Sequence, residues 1–170
     1  DVHWSRVGVI RAGPQQELSS ARDPLEAGAV LQRMRCGQRR VDGRADVLGY
    51  APLDLAFVDG LHLFEAALAD VAALEAWSHP RTVLLLHDCH PPNAAMAARE
   101  RGTVAWAGDV WKVVACLRAE RPDLTVTTVD VGPTGVGVIT GLGAGFADLE
   151  GSIERHRNLD YAVLDDDPQG

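Results

Sequence analysis

The sequence predicts an α/β protein whose mostly parallel sheet is closed by a C-terminal antiparallel hairpin. Three observations carry this. Two apolar runs, "LDLAFVDG" from Leu53 and "TVLLLHD" from Thr82, are hydrophobic on both faces apart from Asp54, as strands inside a covered parallel sheet are. Between them Leu61, Phe64, Leu68, Val71 and Leu74 recur at three- and four-residue steps, the spacing of one helical stripe. Finally, "LTVTTVDV" and "VGVIT" are separated only by "GPTG", which can close a hairpin but cannot carry a crossover helix.

The elements follow in order. "RVGVI", from Arg6 to Ile10, reads as a short strand running into the loop "RAGPQQ". Leu25 to Met34 suits a helix, and "RRVDGRADVL" a second short strand. Leu53–Val58 is then a central strand, followed by the helix that Leu61 opens and that "HP" (His79, Pro80) ends. Val83–His87 is its parallel neighbour. Pro91 to Ala107 reads as loop with an alanine-rich turn. Asp109 suits the N-cap of the next helix, its carboxylate accepting from free amides of the first turn. Val110, Val113, Val114 and Leu117 form that helix's stripe, which stops at Pro122. Residues 1–160 read as one domain, and 161–170 as an acidic tail ending in "DDDPQG".

Composition narrows the function classes. The 170 residues are 46% hydrophobic and 24% charged, ordinary for a globular chain, with a net charge of −8. No block of lysine or arginine offers the cationic contacts on which nucleic-acid affinity rests. No apolar run approaches the roughly 18 residues of a membrane span. Cys36, Cys89 and Cys116 match no zinc spacing and read as reduced thiols. The expected setting is cytoplasmic, with no nucleic-acid and no membrane partner, and homo-oligomerisation is left open. The chain opens on Asp, which points to processing or to a piece of a longer protein.

Asp59 and Asp88 each close a predicted central strand. In open α/β sheets, ligands gather beyond the carboxyl ends of the strands. Neighbouring strands lie about 4.8 Å apart, so two carboxylates there converge and repel unless a cation sits between them. A hard divalent ion such as Mg²⁺ suits two oxygen donors. His62, in the first turn after Asp59, reaches the same mouth and suits a general base. The plainer alternatives are that each Asp caps a helix and that His62 is a surface histidine. His87 should face away from Asp88, because adjacent strand residues point to opposite faces. His90, beside two prolines, could line the pocket. Trp106 and Trp111 either pack a loop onto the core or stack on substrate. "GPTGVG" precedes no helix and reads as a turn, not a phosphate loop.

Four segments in the same order carry a family likeness: "DLAFVDGLHLFEAALADV", "TVLLLHDCHPPN", "WAGDVWKVVACLRAERPDL" and "VDVGPTGVGVI". From Ala51 to Leu142 the chain resembles a class I S-adenosylmethionine-dependent methyltransferase. The group it most resembles is the bacterial metal-dependent O-methyltransferases whose fourth strand ends in IDG-x-H. The resemblance implies a Rossmann-like sheet with a reversed last hairpin, and S-adenosylmethionine and Mg²⁺ as cofactors. It further implies a hydroxyl on a sugar or other small natural product as acceptor, Asp59 and Asp88 as metal ligands, and His62 as base.

The N-terminal third departs from that pattern. "VGVIRAGPQQELSSARDP" compresses into eighteen residues what the family spreads over a glycine loop, a helix and a strand. Gly8 and Gly13 stand for the loop, and Asp23 for the acid that holds the ribose. The cofactor region is therefore shortened or incomplete. Two other readings stay open: a non-catalytic methyltransferase-like domain acting in an assembly, and a metal-dependent enzyme of another reaction type on the same fold.

Overall fold

The structure is a computed structural model, and it describes residues 6–10 and 53–164. The helix expected at Leu25–Met34 and the strand expected from "RRVDGRADVL" lie outside the described residues, as does the end of the acidic tail.

Among the described residues five strands form one sheet: β1 (Arg6–Ile10), β2 (Leu53–Asp59), β3 (Ser78–His87), β4 (Thr125–Val129) and β5 (Val136–Thr140). Their spatial order is β1-β2-β3-β5-β4. The α/β class is as expected, and β2 and β3 are adjacent and parallel, with Phe57 opposite Leu85. The C-terminal pair is the antiparallel hairpin, Val129 facing Val136. A mostly parallel sheet was the expectation. Among the described strands the sheet is mixed, because β1 joins β2 antiparallel and β5 joins β3 antiparallel. Strands β2, β3 and β4 still share one direction, so their carboxyl ends define one rim.

Among the described residues three α-helices pack on one another and cover one face: α1 (Phe64–Glu75), α2 (Trp111–Glu120) and α3 (Leu149–His156). The covered face supplies Ala56 and Val58 of β2, Leu84 and Leu86 of β3, Val126 of β4 and Ile139 of β5. Helix α1 meets them with Phe64, Leu68, Val71 and Leu74, and α2 with Val113, Val114 and Leu117. Each such side chain, taken fully out of water, contributes roughly 1.5–3 kcal/mol. No helix among the described residues is long and apolar enough to cross a membrane.

Three local readings are corrected. Strand β3 starts at Ser78, so His79 and Pro80 lie inside it. Leu53 pairs with Ser78 while Leu55 pairs with Val83, and the bulge this creates accommodates a residue without an amide hydrogen. The Thr82 hydroxyl closes the bulge by donating to the Leu53 carbonyl and accepting from the His79 amide. Helix α1 begins at Phe64, leaving Leu61 and His62 in the connection.

The third correction concerns Asp109. Helix α2 begins at Trp111 with no side-chain cap, and the Asp109 carboxylate instead accepts the Phe64 amide of α1 at 2.8 Å. It therefore caps a helix forty-five residues away in sequence. Arg99 at 3.1 Å and Lys112 at 3.4 Å neutralise this buried acid. Arg99 also pairs with Glu65 in the first turn of α1, which ties the 91–107 loop to that helix.

Candidate functional site

The site forms where the rim of β2 and β3 meets the loop before α2. Asp59 is the last residue of β2, and Asp88 follows the last residue of β3. Both connections turn sharply. Among the described residues, the non-glycine positions with positive φ are His62 at 59° and Asp88 at 65°. Such backbone is sparsely populated, though Asp and His tolerate it better than most residues, and it concentrates where side chains are aimed for use.

The aiming brings one donor atom each of Asp59, His62 and Asp88 within 4.8 Å of one another. His62 Nε2 lies 3.6 Å from Asp59 Oδ1, and its Nδ1 lies 3.2 Å from Asp88 Oδ2. The Asp88 side chain is only 3% exposed. Among the described residues, histidines alone face these two carboxylates as cationic partners. A buried carboxylate beside a second one, without lysine or arginine, calls for a cation to offset their repulsion. The donor set of two carboxylates and imidazole fits a divalent metal ion.

Neighbouring elements hold the geometry. His62 Nδ1 donates to the Trp106 carbonyl at 2.7 Å, and the imidazole lies flat against the Trp106 indole. That hydrogen bond places the lone pair on Nε2. Gly108 passes beneath His62 so closely that a Cβ there would stand 1.8 Å from the His62 carbonyl oxygen. On the other side the hairpin turn fixes Asp88, whose amide donates to the Gly135 carbonyl at 3.1 Å. The His90 amide donates to the Thr134 carbonyl at 2.8 Å. "GPTG" is a turn, as read from the sequence, and it also clamps the loop that presents Asp88.

The sequence-predicted residues fall as follows. Asp59, His62 and Asp88 converge, with His62 two residues before α1 instead of inside its first turn. Neither acid serves as the side-chain cap of α1, since Asp109 does that. His90 is held by its backbone, and its ring makes no hydrogen bond or ion pair with the cluster among the described residues. Trp106 packs on His62. Trp111 is buried in α2, edge-on to Tyr161, whose hydroxyl donates to the Pro91 carbonyl at 2.8 Å. Gly8 sits in β1 opposite Phe57, within a strand. Gly13 and Asp23 lie outside the described residues.

His87 overturns its reading. It was expected to face away from Asp88, yet its Nδ1 lies 3.2 Å from Asp88 Oδ2 and 3.9 Å from Asp59 Oδ1. Strand alternation does put His87 on the face of Phe57, whose ring centroid is 6.2 Å away. Asp88, however, has left the strand, and its positive φ returns the carboxylate to the same rim. Cys89 is excluded from the chemistry: burial pushes its thiol far above the ordinary range, and its Sγ donates to the Leu86 carbonyl.

No curated protein and no solved structure matches the chain. A family model described as a methyltransferase domain matches residues 12–89, a stretch that contains Asp59, His62 and Asp88. That match, together with the α/β sheet and its reversed hairpin, supports a methyltransferase domain in this chain.

Proposed function

We propose that the chain transfers the methyl group of S-adenosylmethionine to a hydroxyl of a small molecule, a sugar or another natural product. The carrying observation is the convergence of Asp59, His62 and Asp88 on one strand rim within the matched region. Asp59 and Asp88 are the residues that would hold a divalent cation, Mg²⁺ being the expectation from their oxygens. When bound, that ion lowers the pKa of an acceptor hydroxyl and orients it.

The chain's own contribution is orientation and proton transfer. With Nδ1 committed to the Trp106 carbonyl, His62 presents Nε2 as the proton acceptor. As the new carbon–oxygen bond forms and the sulfur–methyl bond breaks, the hydroxyl proton passes to Nε2. The protonated imidazole then lies beside the Asp59 carboxylate at 3.6 Å, which stabilises it. In this reading Gly13 and Asp23 belong to the S-adenosylmethionine site, and the protein works in the cytoplasm on a small-molecule substrate.

Titration calorimetry with S-adenosylhomocysteine tests the reading. Saturable one-to-one binding is expected, and Asp88→Asn should leave it intact while lowering turnover. A folded chain that binds no S-adenosylhomocysteine, with or without Mg²⁺, would refute it.

A further inference from the structure

The two histidines of the rim are not equivalent. His62 is spoken for, with Nδ1 on the Trp106 carbonyl and its ring against the indole. His87 Nδ1 is buried and has no hydrogen-bond partner, although Asp88 Oδ2 is only 3.2 Å away. A buried nitrogen left unmatched is unfavourable unless something fills its place.

Distances indicate what fills it. Two donors on one six-coordinate ion with bonds of about 2.1 Å stand about 3.0 Å apart when adjacent and about 4.2 Å when opposite. The separations of His87 Nδ1 from Asp88 Oδ2 and Asp59 Oδ1, 3.2 and 3.9 Å, fall between these limits. His87 Nδ1 is thus within reach of a cation that both carboxylates would hold.

We propose that His87 Nδ1 is a third ligand to the cation held by Asp59 and Asp88, and that the site therefore prefers a first-row transition ion such as Mn²⁺ or Co²⁺ over Mg²⁺. This rests on the metal reading above and deepens it. Imidazole is a poor ligand for Mg²⁺ and a better one for first-row transition ions, whereas two carboxylates alone would leave Mg²⁺ competitive. His62 remains the proton acceptor, so the rim divides its two imidazoles between coordination and proton transfer.

The test uses the full chain, with Mn²⁺ and Mg²⁺ as probes. Affinities come from calorimetry and Mn²⁺ ligation from pulsed electron paramagnetic resonance. Wild-type protein should bind Mn²⁺ at least about tenfold tighter than Mg²⁺ and show a nitrogen coupling from imidazole. His87→Ala and His87→Gln should lose that coupling and weaken Mn²⁺ by at least about tenfold. Their metal-free melting curves, compared with wild type, show that both variants are folded. A coupling and affinity unchanged in folded His87 variants would overturn the assignment. So would a coupling that disappears only in His62→Ala, which hands the ligand role to His62. If wild type binds neither ion, or Asp88→Asn leaves both affinities unchanged, the underlying metal reading falls as well.

Discussion

The imidazole of His62 lies parallel to the indole of Trp106, with ring centroids 5.0 Å apart and 12° between the planes. The same tryptophan accepts the His62 Nδ1 hydrogen through its carbonyl, so one residue fixes both the plane and the tautomer of the ring. Its own Nε1 donates to the Ala98 carbonyl at 2.6 Å, which locks the indole to the loop. Trp106→Ala keeps the carbonyl and removes the stack. An offset aromatic pair contributes about 0.5–1.5 kcal/mol, so turnover should fall roughly two- to tenfold with the fold intact. Trp106→Phe should recover most of it. Steady-state kinetics of the two variants decide the matter, and equal rates in all three proteins would exclude a positioning role for the stack.

Gly108 is the position least open to substitution near the site. Its φ of 62° suits glycine, and an added Cβ would overlap the His62 carbonyl. Because the clash is with backbone, no rotamer relieves it, and His62 must move. Gly108→Ala should cost about 1–3 kcal/mol of stability from the strained backbone alone. A misplacement of about 1 Å should also reduce the rate by roughly 10². Thermal melting and single-turnover kinetics measure the two effects separately. A normal rate in a destabilised variant would show that the loop relaxes without carrying His62 with it.

The strand-end acids were legible because apolar runs that stop at an acid are a one-dimensional signal, and topology then brings neighbouring strand ends together. Asp59, Asp88 and the β4–β5 hairpin follow from that logic. His87 and Asp109 were misread for a shared reason: both depend on where the chain leaves regular structure. Alternation holds along β3 through His87 and fails at Asp88, whose left-handed backbone no periodicity announces. Asp109 has the position of a cap for its own helix, yet it serves Phe64, a long-range contact that spacing along the chain cannot encode. Likewise "GPTG" reads as a turn, while its grip on the Asp88 and His90 amides appears only when β5 lies beside β3.

Acid sensitivity should be dominated by carboxylates tied to arginine. Burial by itself pushes the Glu75 carboxyl up; hydrogen bonds from Arg121 and from the Gly143 and Gly145 amides outweigh it and hold the group below its ordinary value of 4.5. Glu65 is held at about 2, chiefly by its hydrogen bond from Arg99. A carboxyl whose folded pKa is depressed adds stability that is complete above its unfolded pKa and lost as pH falls through the folded value. Stability should therefore decline from about pH 4.5 toward pH 2.

Arg121→Met should reverse the Glu75 contribution. Glu75 and Arg121 are 2% and 6% exposed, so the variant leaves a buried carboxylate facing a methionine. The loss near neutral pH should be about 3–5 kcal/mol, the usual result of breaking a buried pair. With Arg121 gone, burial raises the Glu75 pKa, and protonation then stabilises the folded state. The deficit relative to wild type should shrink as pH falls below neutrality. Denaturant titrations at several pH values measure it, and a pH-independent deficit would mean that Arg121 acts mainly through its contacts with Asp123 and Phe146.

His62→Ala separates proton transfer from cation holding. The substitution removes the ring that reaches Asp59 and Asp88, but leaves both carboxylates, the Trp106 carbonyl and the Gly108 turn in place. If Nε2 accepts the hydroxyl proton, the methyl-transfer rate should drop by roughly 10²–10⁴, the usual cost of a lost general base. Affinities for divalent metal and for S-adenosylhomocysteine should stay near wild type. Imidazole added to the buffer should restore part of the rate, because the deleted ring leaves space against the indole where a free base can stack. Asp88→Asn should show the opposite pattern, losing metal affinity, recovering with excess metal and gaining nothing from imidazole. A His62→Ala protein with the wild-type rate would remove this residue from the chemistry.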